Sequence, residues 1–327
     1  MVTHEVKILK NMVYTKTDRE YLTADVFLPE NKRGVPCMVL LHGGGWKFGN
    51  ADAYNEWGIA LAQRGVCAMS INYRVSTVDY PGWPGCLDDV EAATSFLVSH
   101  AHEWDLDPYS IGFMGDSSGA HLGFMATLRH EYASHKIRLI VGAYGVYDVG
   151  AWGEYAGKKW TRQPNVVVNL LGKPLQDRKS FEEASPYYLI DRALEDNPLL
   201  NPEILLLWGE QDNFVPCASQ SAPFAEKLKK TRLHVETMAL PDAAHLWFPR
   251  DITSCEINEL DKYPLSVVAP KVLDFITGVF AKPRFTHPNY TGGYENSAAF
   301  RKTRFKDSDP LKAVYGYVGS PSKGNAV

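Results

Sequence analysis

The chain has 327 residues, 45% of them hydrophobic and 12% aromatic, and carries a formal net charge of −4. That composition supports a large folded core and excludes a mainly disordered chain. The weak negative charge argues against nucleic acid or an anionic membrane surface as the main partner, and no apolar run reaches the ~18 residues a membrane-spanning helix needs, so no such span is predicted.

Residues 6–14 and 21–28 read as two strands joined by a polar turn, a hairpin expected at one sheet edge. Residues 36–41 form a short continuous apolar run, the pattern of a strand buried on both faces. A helix is expected over 54–64, a strand over 66–73 and a second helix over 88–99, where Leu87, Val90, Ala93 and Leu97 share one face. A strand over 109–114 precedes a helix-like stretch at 121–126, and residues 137–144 read as the next strand. Strands alternating with helices predict a parallel sheet with right-handed crossovers.

From 147 to 200 the alternation stops. This stretch contains Trp152, Tyr155 and Trp160 and reads as a small cap inserted over the site, with a lining role for its aromatic residues. Strands resume at 204–209 and 233–240, and a last helix is expected over 267–280. Residues 282–327 carry many aromatic side chains among Gly, Pro, Ser and basic residues, so this extension is expected to pack on the body or on a second subunit.

The chemistry-bearing motifs fall at strand ends. Gly115-Asp116-Ser117-Ser118-Gly119 lies between a strand and a helix. That is the setting in which G-x-S-x-G makes a tight turn and lifts a serine hydroxyl clear of the sheet. His42-Gly43-Gly44-Gly45-Trp46 follows the buried strand at 36–41. Such a loop turns backbone N–H groups toward the serine, and with the Ser118 N–H it would form an oxyanion hole. The serine needs a base, and the base needs an orienting acid. Asp212 follows the strand at 204–209, with Glu210 as the alternative, and His245 follows the strand at 233–240.

The other histidines fit less well. His121, His130 and His135 fall in or near the helix after the serine, His234 within the last strand and His287 in the extension. His100, His102 and Glu103 match no metal signature and read as a helix end. Trp46, Trp83, Trp247 and Phe248 flank the motifs and are candidates to line a pocket for a small acyl group or an aromatic alcohol.

Five scattered cysteines (Cys37, Cys67, Cys86, Cys217 and Cys255) read as reduced thiols, and the first residues lack a signal peptide's apolar stretch. Both lead to the expectation of a cytoplasmic protein. The Asn289-Tyr290-Thr291 sequon then reads as a chance match.

Together, His42–Trp46, the Asn72-Tyr73-Arg74-Val75-Ser76 segment, Asp107-Pro108, the Gly115–Gly119 turn and Glu183-Ala184-Ser185-Pro186 resemble the hormone-sensitive-lipase-type and feruloyl/acetyl-esterase-type α/β-hydrolases, over roughly residues 20 to 280. The resemblance implies an α/β-hydrolase fold, a mostly parallel central sheet flanked by helices with a small cap. It implies Ser117 as nucleophile, His245 as base and Asp212 as its partner, with oxyanion N–H groups from Gly44, Gly45 and Ser118. It implies hydrolysis of a small-molecule carboxylic ester with no metal or organic cofactor. Two departures stand out: Ser118 replaces a small Ala or Gly, and the segment after Arg74 lacks the usual Pro-Glu pair. The same residues are compatible with an amidase of arylformamidase or peptidase type, and with a binding protein that has lost catalysis.

Overall fold

The computed structural model describes residues 3–129, 137–251, 256–257 and 259–283. The expectations for His130, His135, Cys255, His287, the Asn289 sequon and the 282–327 extension beyond Pro283 lie outside the described residues.

An eight-stranded sheet runs in the order β1-β2-β4-β3-β5-β6-β7-β8. Its members are β1 (Val6–Lys16), β2 (Tyr21–Pro29), β3 (Val35–Leu41), β4 (Cys67–Ile71), β5 (Leu106–Asp116), β6 (Ile137–Ala143), β7 (Glu203–Gly209) and β8 (Val235–Leu240). The β1–β2 hairpin is antiparallel and sits at one edge, as the 6–14 and 21–28 pattern predicts. β2 meets β4 antiparallel, and every pairing from β4 through β8 is parallel.

The continuous apolar runs have a direct cause. Along β3, Val39 and Leu41 enter one core cluster while Met38 and Leu40 enter another, so the strand is covered on both faces. One face carries α2 (Gly85–Ser99), α3 (Ser118–Leu128) and α8 (Ser221–Lys229), which bury Val90, Leu122 and Phe224. The other carries α1 (Asn55–Gln63) and α9 (Leu265–Ala281), which bury Trp57, Leu61, Val272 and Ile276. Each such side chain contributes about 1.5–3 kcal/mol when fully buried. His234 lies just before β8 and not within it; its Nδ1 sits 2.7 Å from Glu203.

The cap consists of α4 (Val149–Lys159), α5 (Val166–Leu171), α6 (Arg178–Glu183) and α7 (Pro186–Asp196), between β6 and β7. Asp148, Asn165 and Asp177 cap the first three helices through their side chains. Two buried polar side chains fix where the cap leaves the sheet. Gln220 Oε1 accepts from Tyr147 N and Asp148 N, and its Nε2 donates to the Asp148 carbonyl. Ser185 Oγ accepts from Val149 N and donates to the Phe181 carbonyl.

Removing the Gln220 amide strands two backbone N–H groups at the cap's root. Gln220→Ala is therefore expected to destabilise the fold by about 2–4 kcal/mol, read as a lowered urea midpoint; an unchanged midpoint would contradict this anchoring role.

Candidate active site

Parallel strands deliver their following loops to one end of the sheet. β3, β5, β7 and β8 bring there the glycine loop, Ser117, Asp212 and His245. Ser117 sits between β5 and α3 at φ 50°, ψ −117°, and its N–H donates to the Ala143 carbonyl at 2.8 Å. A non-glycine residue held there stores of order 1–3 kcal/mol of strain, which the flanking packing must sustain. Gly119 makes that packing possible: a Cβ on it would stand 1.9 Å from the Leu41 carbonyl oxygen at the end of β3.

The loops after β7 and β8 are tied together. Gln211 N donates to the Ala243 carbonyl at 3.0 Å, and Glu210 N donates to the Leu240 carbonyl at 2.9 Å. Asp212 Oδ1 accepts from Phe214 N and Val215 N, both at 2.9 Å, an Asx turn that fixes the carboxylate. Its Oδ2 then lies 2.6 Å from His245 Nδ1, and His245 Nε2 lies 3.2 Å from Ser117 Oγ. With a carboxylate as its partner, Nδ1 carries the proton, which leaves Nε2 as acceptor for the serine hydroxyl. Tyr144 packs at 4.4 Å and Phe214 at 5.7 Å from the imidazole. The alternative acid, Glu210, is exposed.

The glycine loop is clamped from several sides. Gly44 and Gly45 have φ of 118° and 61°, and a Cβ on Gly44 would stand 2.0 Å from the Phe48 carbonyl oxygen. Tyr73 donates to the His42 carbonyl at 2.7 Å and stacks on the His42 ring at 4.2 Å. Ser76 N donates to the Trp46 carbonyl. Behind these, Asp89 accepts two hydrogen bonds from the Arg74 guanidinium, at 2.6 and 2.8 Å, and one from the Arg74 backbone N–H at 2.9 Å, and keeps the guanidinium charged. The Tyr-Arg segment thus props the loop. Burial lowers His42 to about 4, so it is neutral at pH 7.

Asp116 is a residue that the motif pattern passes over. It is buried, accepts from Gly43 N at 2.8 Å and from Tyr54 Oη at 3.0 Å, and so ties the glycine loop to the turn that carries Ser117. The signal in the sequence is an acid at a position enclosed between two strands. A cleft of about 220 Å³ lies here, lined by Gly43, Gly44, Phe48, Asp116 and Leu246 among others.

The four aromatic candidates divide. Trp46 and Phe248 are fully buried and Trp247 nearly so, and all three pack in the core. Trp46 Nε1 donates to His121 Nδ1, and His121 Nε2 donates to the Ala184 carbonyl in the cap. Phe248 is pinned by Trp57 and Tyr144. Trp83 is partly exposed, 5.7 Å from the His121 ring. His100 bonds the Phe96 carbonyl and stacks on Trp104, as a helix end.

Residues 24–228 match the family described as BD-FAE, and not specifically the hormone-sensitive-lipase type. The chain is 25% identical over 254 residues to an isoprenylcysteine alpha-carbonyl methylesterase of Arabidopsis thaliana, covering 73% of this chain and 56% of that protein. It is 32% identical over 205 residues to an acetyl esterase of Salmonella paratyphi B, covering 57% of this chain and 62% of that protein. The chain thus spans less than two thirds of either relative's length. A truncated carbohydrate esterase from gut microbiota superposes with a TM-score of 0.66 at 22% identity, over 86% of this chain and 98% of that one. A thermophilic esterase of Thermogutta terrifontis superposes with a TM-score of 0.60 at 22% identity, over 86% of this chain and 95% of that one. At these identities the two structures show the shared fold alone.

Burial raises the Asp116 carboxyl to about 6, against ~3.9 in an unfolded chain. The folded state therefore holds this proton more tightly; the associated stability is fully present below about pH 4 and is lost as pH rises through about 6. Asp116→Asn removes that dependence. The stability of wild type relative to the variant is expected to fall by about 2–3 kcal/mol between pH 4 and pH 7, measured by urea unfolding across the range. Parallel curves for the two proteins would contradict it.

Proposed function

The chain belongs to the BD-FAE family, and from that footing we propose that it is a serine esterase that hydrolyses small carboxylic esters through an acyl-enzyme. The observation that carries the reading is the hydrogen-bonded series Asp212–His245–Ser117, with the serine on a strained turn at the end of β5. Ser117 Oγ attacks the ester carbonyl as His245 Nε2 takes its proton. Asp212 holds the imidazole in the required tautomer and stabilises the imidazolium that forms. Backbone N–H groups of Gly44, Gly45 and Ser118 receive the oxyanion; the Gly43 N–H is already committed to Asp116. His245 then returns its proton to the leaving alcohol, and water activated by the same base frees the acid.

The acetyl esterase among the relatives supports a short acyl group. The relatives' named reactions, a methyl ester and an acetyl ester hydrolysis, favour ester over amide. The expected substrate is a short-chain ester and not a long-chain triglyceride.

Turnover of p-nitrophenyl esters from acetyl to decanoyl tests this. The fastest kcat/KM is expected between acetyl and butyryl, and Ser117→Ala is expected to lower kcat by roughly four or more orders of magnitude. Undiminished activity in the variant would remove Ser117 from the chemistry; an optimum at octanoyl or longer would overturn the short-acyl assignment.

A further inference from the structure

Phe214 is 44% exposed although its backbone is among the most firmly held at the site. Its N–H donates to Asp212 Oδ1, and its carbonyl accepts from Trp152 Nε1 at 2.8 Å. The neighbouring Asn213 carbonyl accepts from Tyr155 Oη at 2.7 Å and from Lys159 Nζ at 2.5 Å. The cap helix α4 is therefore bonded directly to the loop that carries Asp212. The Phe214 side chain makes none of these hydrogen bonds, so its position beside the site has to be explained by what it faces.

It faces two rings. The His245 imidazole lies nearly parallel to it, at 15° and 5.7 Å. On the cap side, Trp160 covers it at 5.4 Å and 37°, and Trp160 is itself only partly buried. Tyr155 meets Trp160 edge-on at 6.2 Å. The rings form a ladder that starts at the base and climbs the end of α4.

Resting on the acyl-enzyme reading above, we propose that Phe214 and Trp160 form a subsite for an aromatic ring in the leaving alcohol, and not in the acyl group. The side of the ester follows from the chemistry. The leaving oxygen must come within ~3 Å of His245 Nε2 to receive its proton. The first atoms of the alcohol therefore lie nearest the imidazole, and a flat group attached to that oxygen reaches the rings stacked beside it. The ligand class follows from the polar groups. Tyr155 Oη and Lys159 Nζ, at the edge of the ladder, bond each other at 2.8 Å and both donate to the Asn213 carbonyl, so their hydrogen bonds are directed to the Asp212 loop. A polyhydroxylated ring needs several directed hydrogen bonds, whereas an aryl ring needs only faces and edges to stack on.

Aryl and fluoroalkyl acetates of matched leaving-group acidity give the same acetyl-enzyme, so a leaving-group subsite acts on acylation alone. With the full chain, Trp160→Ala and Phe214→Leu are each expected to lower the ratio of kcat/KM for phenyl acetate over the fluoroalkyl acetate roughly tenfold. Trp160→Phe, which keeps a face, is expected to hold the ratio within about twofold. Labelling of Ser117 by a fluorophosphonate reports that each variant is folded and its nucleophile competent. An unchanged ratio in both Trp160→Ala and Phe214→Leu, with Ser117 still labelled, overturns the subsite alone. A larger loss for glycosyl acetates than for aryl acetates overturns the aryl assignment. Absence of both ester turnover and Ser117 labelling in the wild type overturns the esterase reading and the subsite with it.

Discussion

The Asp212 carboxylate divides its two oxygens between the loop and the imidazole, and the site is built around that division. Oδ1 closes its own loop through Phe214 N and Val215 N; Oδ2 meets His245 Nδ1. Charge-assisted bonds of this kind are about twice as strong as neutral ones and fix direction as well as distance. Because Oδ1 is occupied, the carboxylate cannot rotate away from the histidine. Because the turn is closed, the Asn213 and Phe214 carbonyls face α4 and receive the side chains of Trp152, Tyr155 and Lys159. Imidazole orientation, aromatic ladder and cap attachment thus share one origin.

The serine side is held by a second carboxylate with a different physical character. Asp116 is enclosed between the glycine loop and α1's approach, with Gly43 N and Tyr54 Oη as its donors. Burial is the largest influence on it and pushes its ionisation up to about 6. A group that the fold prefers protonated is retained at the end of β5, and what it holds is the loop opposite Ser117. Together with Ser117's left-handed backbone, this is stability given up locally for geometry, as expected where strain and buried polarity cluster.

Most of the sheet was legible because its strands are covered on both faces. Continuous apolar runs such as 36–41 have few other homes, and the helix at 88–99 shows one apolar face. The tight turn and the glycine loop were legible for steric reasons, since Gly44 and Gly119 stand where no Cβ fits. Chain neighbourhood was a poorer guide to side-chain direction. Trp46, Trp247 and Phe248 adjoin the motifs in sequence, yet each turns inward and packs under the loops it belongs to. Asp116 escaped notice because the pattern leaves its position free; its role depends on β3 and β5 ending in register, Leu41 against Gly115. Phe214 and Trp160 come from separate segments, and no local pattern joins them.

The separation of backbone and side-chain duties in the Asp212 loop has a consequence for how such a site changes. The turn is closed by main-chain N–H groups and main-chain carbonyls, none of which depends on the identity of residue 214. Trp160 stands at the last turn of α4, where its backbone closes the helix and its ring is partly in solvent. Substitution at either position changes the surface offered beside His245 without loosening Asp212. Core positions such as Gln220 or Asp116 offer no such freedom, because their side chains are the bonds. Leaving-group preference in this architecture is therefore carried where the fold is least constrained, one stacked ring away from the group most constrained of all.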